Sequence, residues 1–169
     1  ENYKMRRKEA IVSLANLSDS FQRMISDPKN QQRKMETLHQ FVTTSHLITA
    51  YTASLAQYSK TTENYPEIDA ESWIKKISAE LHQTESLLNA RKINPEIKQE
   101  SNLKPEDMVG ELLVKRKKEL DEQEFYDRRD KNRITRLTEL KNIREIFQLI
   151  YNTAKEQRKV VEDYYRTIP

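Results

Sequence analysis

Apolar residues recur along most of the chain at alternating spacings of three and four, which places them on one face of an α-helix. The first such stripe predicts a helix over about residues 2–26. Its members are Ala10, Leu14, Leu17, Phe21 and Met24. Polar residues lie beside this stripe, namely Asn16, Gln22 and Arg23. The pattern predicts that Leu17, Phe21 and Met24 are core residues of a helical bundle.

A second helix is predicted to follow the first directly. Asp27-Pro28 is typical of an N-cap followed by proline at the first helical position, so we expect the helix to span about 28–60. At 1.5 Å per residue it would be roughly 45–50 Å long. Its stripe consists of Leu38, Phe41, Val42, Ser45, Ile48, Thr52, Leu55 and Ser59.

Three more helices are predicted in the rest of the chain, over about 70–91, 105–122 and 132–165. Asp69 is a good N-cap for the first of them, and Lys104-Pro105 opens the second. Their stripes are Ala70, Ile74, Ile77, Leu81, Thr84 and Leu88; Met108, Val109, Leu112 and Leu113; and Ile134, Leu137, Leu140, Phe147, Ile150, Tyr151, Ala154, Val161 and Tyr164.

Two segments between these helices lack the helical period. The connection over 93–104 is long for a compact bundle, so it is either ordered against one end or mobile. Over 121–133 the stripe positions turn polar, and the helix either breaks there or projects as a solvated arm. The pattern as a whole predicts one all-α domain over 1–169, an elongated antiparallel bundle of four or five helices.

Composition narrows the class of protein. Only 36% of the residues are hydrophobic and 34% are charged, which suits a thin helical bundle with a large surface. The single glycine, Gly110, argues against an all-β fold, whose tight turns need glycine. The chain has no cysteine, so disulfides and thiol chemistry are excluded.

The charges are interleaved, with 30 basic and 27 acidic residues and a net charge of +3. This balance is typical of solvated helix faces, so we expect no specific nucleic-acid partner. No apolar run approaches the roughly 20 residues that cross a bilayer. The first residues lack the apolar stretch of a signal peptide, and a helical pattern that opens on Glu1-Asn2-Tyr3 suggests a piece of a longer protein.

Candidate catalytic and metal-binding residues do not form a set. Glu36-x-x-His39 has the spacing of one half of a di-iron site, but the chain has no second such pair. His39 and His46 are roughly 10 Å apart along a helix, too far to share one ion. The acidic residues near Glu119 are interleaved with lysine and arginine, which indicates surface pairing. We therefore expect no enzyme activity, no metal and no cofactor.

Two stretches resemble a known family. "RRKEAIVSLANLSDSFQRMISDPKNQQ" and "LHQFVTTSHLITAYTASLA" are similar to a recurring segment of YccS-type inner-membrane proteins, which belong to the fusaric-acid-resistance-like (FUSC) group of bacterial proteins related to aromatic-acid exporters. The similarity covers about the first third of the chain. "LLVKRKKEL" adds to it further on. The matching residues are Arg6-Arg7-x-Glu9-Ala10, Ala15-Asn16-Leu17, Phe21-Gln22-Arg23-Met24, Pro28-Lys29 and His39-Gln40-Phe41-Val42.

The resemblance implies a function in assembly or regulation. In that family membrane bundles alternate with cytoplasmic regions, so this piece would be the cytoplasmic region after the last membrane bundle. Its partners would be the membrane segments and the other soluble region of its own full-length chain, or a second copy in a homo-oligomer. A basic cluster would lie close to anionic lipid headgroups on the cytoplasmic face of the inner membrane. Its members are Lys4, Arg6, Arg7 and Lys8.

The candidate interface motif comprises Asn16, Phe21, Gln22, Arg23, Met24 and Pro28. Its polar residues would either fix helix pairing through buried hydrogen bonds or face a partner subunit. Two other functions stay open from the sequence. One is a free-standing helical adaptor that binds another protein, and the other is a small-molecule sensor with a cavity between helices.

Overall fold

The structure, a computed structural model, describes residues 2–30, 32, 34–58, 65–90, 108–122 and 131–166, with the side chains of 108, 119–122 and 131–134 left out. Nearly all of this part of the chain is helical, and it contains no β-strand, which confirms the all-α bundle. The helices are α1 (Asn2–Ser26), α2 (Met35–Ala56), α3 (Ala70–Ala90), α4 (Met108–Glu122) and α5 (Lys131–Arg166).

The longest helix, α5, is the centre of the bundle. Among the described helices, α2, α3 and α4 each contact α5, whereas α1 contacts α2 alone. Lys34, directly before α2, donates a hydrogen bond to the carbonyl of Tyr164 near the end of α5. The side chains of Ser45 and Gln157 meet further along the same two helices. α2 and α5 are therefore antiparallel.

The contacts of α3 show the opposite direction. Trp73, early in α3, stacks on Phe147 in the middle of α5, and the later residue Glu80 pairs with Arg158 near the end of α5. α3 and α5 therefore run in the same direction, as the third and fifth helices of an up-and-down bundle must.

An apolar cluster joins α3, α4 and the first half of α5. Its buried members are Tyr65, Trp73, Val109, Leu140, Ile143 and Phe147. Trp73 contributes most of the aromatic contact, because its ring also meets the edge of Tyr151 with centroids 6.3 Å apart. This burial confirms the predicted stripes of α4 and α5 at Val109, Leu140 and Phe147.

The predicted start of the second helix is wrong. Residues 27–30 form a turn after α1, and α2 begins only at Met35, so Asp27-Pro28 does not cap it. The reason is geometric, since α1 and α2 lie side by side in opposite directions and the chain needs several residues to reverse. α2 ends at Ala56, and the predicted extension over 59–60 lies outside the described residues.

The predicted stripe of α3 is rotated by about one residue. The structure buries Trp73, Glu80 and Leu87 together with the predicted Thr84, whereas Ile74 and Leu88 are exposed. The large Trp73 ring stacks on α5, and Glu80 pairs with an arginine of the same helix. These two contacts set the rotation of α3, and the spacing of hydrophobic residues does not predict them.

Other boundaries agree closely with the predictions. α1 has the predicted bounds, α3 ends at Ala90 and α5 differs by one residue at each end, within the usual scatter of helix ends. Asp69 caps α3 as predicted, accepting a hydrogen bond from the backbone N–H of Ser72 at 3.0 Å. The predicted connection over 93–104, the start of the fourth helix over 105–107 and most of the segment over 121–133 lie outside the described residues.

Candidate interaction surface on helix one

The two halves of α1 have different surroundings. In the C-terminal half, Phe21 is buried and Leu14, Leu17 and Ser18 are half-buried, all towards α2. In the N-terminal half, every residue from Asn2 to Ser13 is exposed, including Ala10, which was expected to extend the stripe. The first half of α1 is therefore exposed on all sides of the helix.

Two histidines of α2 hold the packed half of α1. The ring of His39 lies 5.8 Å from that of Phe21, centroid to centroid, in a tilted arrangement. Nε2 of His46 lies 2.9 Å from the hydroxyl oxygen of Ser18. Both contacts join α1 to α2, which explains how two helices with small apolar contact stay in register.

The Ser18–His46 pair could be taken for a nucleophile and its base, but the hydrogen bonds argue otherwise. Ser18 Oγ donates its only proton to the backbone carbonyl of Leu14 at 2.9 Å. His46 must then donate to the Ser18 oxygen through Nε2–H, so its imidazole cannot accept the hydroxyl proton in this arrangement. The pair is a helix–helix contact.

The turn between α1 and α2 is held by two side chains. Gln32 Nε2 donates to the carbonyl oxygens of Ile25 and Asp27, both at 2.8 Å, and so satisfies the end of α1. Lys34 has a left-handed backbone (φ 53°). Its ammonium donates to the Tyr164 carbonyl at 2.6 Å and lies 4.9 Å from the centroid of the Tyr164 ring. The turn is thereby fixed to the end of α5.

The candidate interface residues do not form one cluster. Phe21 is buried against α2, whereas Asn16, Gln22 and Arg23 are exposed. Met24 is also exposed, at 36%, so its prediction as a core residue is wrong; it lies in the last turn of α1. Pro28 is exposed within the turn itself. Because Asn16, Gln22 and Arg23 are exposed, they do not fix helix pairing through buried hydrogen bonds, and their contact with a partner subunit stays a prediction.

The basic cluster lies entirely in the exposed half of α1. Lys4, Arg6, Arg7 and Lys8 are all exposed, and Arg6 pairs with Glu9 one turn on at 3.2 Å. Tyr3, Met5, Ile11 and Val12 add exposed apolar side chains to the same half. This part of α1 therefore combines positive charge with apolar surface.

Arg158 and Gln157 of α5 form polar contacts that the hydrophobic pattern does not predict. Arg158 Nε donates to Glu80 at 2.7 Å, and its Nη1 donates to Glu162. Burial acts against the positive charge of Arg158, but the hydrogen bond and charge of Glu80 and the charge of Glu162 outweigh it and raise the pKa of Arg158 above its ordinary value. On the other side of α5, Gln157 donates to Ser45 at 2.7 Å.

A signal for these contacts was present in the sequence. The apolar stripe of α5 has a gap between Ala154 and Val161, where helical spacing requires residues 157 and 158 to face the bundle. Gln157 and Arg158 occupy those positions. Polar residues on a core stripe indicate buried hydrogen bonds to neighbouring helices. Their partners, however, could not be chosen from spacing alone.

Two observations on the described residues concern metal and ligand binding. Its His, Asp and Glu side chains include no group of three or more placed to hold a metal ion. Glu36 and His39 are both exposed. A hollow of about 530 Å³ is open to solvent, and the described residues that line it belong to α4, namely Gly110, Glu111, Val114, Lys115 and Lys118.

No helix within the described ranges is both long and apolar enough to cross a membrane. Comparison with family models, with curated proteins and with solved structures finds no match for this chain.

Proposed function

We propose that this chain is a non-enzymatic helical domain on the cytoplasmic face of a bacterial inner-membrane protein, a transporter similar to the aromatic-acid exporters, and that it acts in assembly or regulation. Two sources support the proposal. One is the resemblance of its first third to the YccS-type segment. The other, which carries it, is the exposed N-terminal half of α1.

That half of α1 has the properties of a segment that binds something outside the bundle. From Asn2 to Ser13 every residue is exposed, yet four of the side chains are large and apolar and four are cationic. An anionic membrane surface attracts each nearby cation by about 1 kcal/mol. Proximity to the membrane and contact with another protein region both fit this composition.

The membrane part of the proposal is tested by fractionating cells of the source organism with an antibody against this chain. We expect the antigen in the membrane pellet, where it should resist washing with alkaline carbonate. A cytoplasmic enzyme of the same cells serves as the control and should stay in the supernatant. Release of the antigen by the wash would contradict an inner-membrane protein and favour the free-standing adaptor.

The role of the basic cluster is tested separately with vesicles. The purified chain should co-sediment with vesicles that contain phosphatidylserine, and less so as salt is raised. Replacement of Lys4, Arg6, Arg7 and Lys8 by Gln should abolish that binding. A matched control replaces Lys115, Lys117 and Lys118 of α4 by Gln. Equal binding by the two variants would show that the cluster is an ordinary solvated surface.

A further inference from the structure

α3 leaves an apolar row on its outer side. Ile74, Leu81 and Leu88 recur every seven residues and lie in line along roughly 21 Å of the helix. Ile74 is 56% and Leu88 41% exposed, while Leu81 is half-buried. Of the described helices α3 contacts only α5, through the face that carries Trp73. Single exposed apolar residues are ordinary, but a row of heptad period is the seam through which helices pack together.

The exposed half of α1 carries a second row with the same period. Met5 and Val12 are seven residues apart and are 54% and 50% exposed. Val12 precedes the buried Phe21 by nine residues, or two and a half turns, so the row points away from α2. Asn16 and Arg23 continue it towards the end of the helix. The exposed half extends for roughly 18 Å, close to the length of the α3 row.

The charges beside the two rows are opposite. Lys4 and Lys8 lie on one side of the α1 row, and Glu71 and Glu85 lie on one side of the α3 row. Glu71 pairs with Lys75, whereas Glu85 faces His82, which offsets its charge only when the imidazole is protonated. Pairing α1 with α1, or α3 with α3, would bring like charges together, which disfavours association.

We propose that the Met5–Val12 row of α1 in one copy of this chain packs along the Ile74–Leu81–Leu88 row of α3 in a second copy. The two rows share a spacing of seven residues, and the charges that flank them are opposite in sign. A reciprocal exchange about a two-fold axis closes the assembly as a dimer with two identical contacts. This inference rests on the proposed assembly function and names its partner.

Mixing two variants, each with one of the two rows disrupted, tests the contact. One variant carries Met5→Asp and Val12→Asp, and the other carries Ile74→Asp and Leu88→Asp. All four side chains are exposed, so both variants should fold, which circular dichroism checks. In sedimentation velocity we expect the unchanged chain to dimerise with rising concentration. Each variant should stay monomeric alone, whereas a mixture of the two should form dimers through the one contact that remains intact.

Crosslinking identifies the surfaces directly, because the chain contains no cysteine. Asn16→Cys and Ser78→Cys are placed in separate chains, which leaves the apolar residues of both rows unchanged, and the mixture is treated with a flexible bis-maleimide. The mixed product should exceed either homotypic product by roughly tenfold, the factor that 1.4 kcal/mol of preference gives. Charge reversal at Glu71 and Glu85 to Lys should lower the yield, and adding Lys4→Glu and Lys8→Glu in the other chain should restore it.

Several outcomes would overturn the inference. They are a chain that stays monomeric at millimolar concentration, an α1 or α3 variant that dimerises as well as the unchanged chain, and homotypic crosslinks in place of mixed ones. Loss of vesicle binding in the Met5→Asp and Val12→Asp chain with no change in self-association would assign the α1 row to a lipid surface instead. Cell fractionation does not depend on these contacts, so failure of the dimer and failure of the proposed function remain distinguishable.

Discussion

The first half of α5 packs through apolar side chains, whereas its second half adds hydrogen bonds and an ion pair to its neighbours. In the first half, here called the apolar end, Leu140, Ile143 and Phe147 meet Trp73 and Val109. In the second half, the polar end, Gln157 bonds α2 and Arg158 bonds α3. The same helix thus uses two kinds of contact over its length.

The two kinds of contact make different contributions, one to the stability of the fold and the other to the alignment of the helices. Apolar burial stabilises a fold roughly in proportion to area and tolerates small rotations of a helix. A partly buried charge pair contributes less net stability, but it penalises any register that leaves one partner alone. We infer that apolar burial, which continues along the second half of α5 at Ile150, Ala154 and Val161, supplies most of the folding free energy. The polar end fixes how α2 and α3 align on α5, and through α2 where α1 lies.

The largest effect is expected from Phe147→Ala at the apolar end. Removing a buried ring that stacks on Trp73 should lower the free energy of unfolding by about 3–5 kcal/mol. Leu149→Ala, two residues away but exposed, is the matched control and should change it by less than about 0.5 kcal/mol. Urea unfolding followed by the fluorescence of the single tryptophan measures both. Similar losses in the two variants would show that this face of α5 is misassigned.

The second prediction concerns the polar end and depends on which partners are removed. Arg158→Met leaves Glu80 partly buried without its arginine and should cost about 1–3 kcal/mol. Glu80→Leu combined with Arg158→Met removes both charges of this pair and leaves the more exposed Glu162 without Arg158. The double variant should therefore cost less than Arg158→Met alone.

A double-mutant cycle from chemical unfolding gives the coupling between the two sites. Additive losses would mean that Glu80 and Arg158 do not act as a unit. The two ends of α5 would then differ only in how much stability their contacts contribute.

Sequence periodicity was sufficient for the apolar end but not for the polar end. Leu140 and Phe147 could be assigned to the core because spacing and hydrophobicity agree there. Glu80 and Arg158 could not, because a buried ion pair depends on which helices become neighbours. Ile74 and Leu88 belong to the most regular stripe in the chain, yet they are exposed, since Trp73 and Glu80 decided the rotation of α3.

The candidate surface was predictable only in part. The positive charge of Lys4, Arg6, Arg7 and Lys8 could be read directly, but the exposure of the neighbouring Met5 and Val12 follows from where α2 lies. The start of α2 was misplaced because Asp27-Pro28 is a common helix opening. Gln32 and Lys34, which hold the turn instead, act through side-chain bonds to distant carbonyl groups that spacing does not reveal.

The third prediction uses the left-handed backbone of Lys34 at the polar end. Gly adopts a positive φ without the steric cost that Ala meets, so Lys34→Gly should be more stable than Lys34→Ala by about 1 kcal/mol. Both variants lose the bond to the Tyr164 carbonyl, so the comparison isolates the backbone. Thermal or urea unfolding of the pair measures the difference. Equal stability would mean that the turn relaxes to a negative φ when the lysine side chain is removed.

The smallest effect is expected at the start of α3, where Asp69 caps the helix whose Trp73 packs on the apolar end. The hydrogen bonds from the Ser72 side chain and backbone lower the pKa of the Asp69 carboxyl below its ordinary value. A carboxyl with a lowered folded-state pKa stabilises the fold above its unfolded pKa of about 3.9, and this contribution is lost as the pH falls through the folded-state pKa.

Asp69→Asn keeps a side-chain oxygen that can accept the hydrogen bond from the Ser72 N–H, but the amide does not titrate. The loss of stability in acid that comes from protonation of Asp69 should therefore be absent from this variant. Unfolding free energies of both chains at pH 7 and pH 3 measure it, with the fluorescence of Trp73 reporting one turn from the cap. The unchanged chain should lose more stability between the two pH values than the Asn variant. Equal losses would show that the Asp69 carboxyl does not titrate differently in the folded chain, and that acid acts on this end of the bundle through other groups.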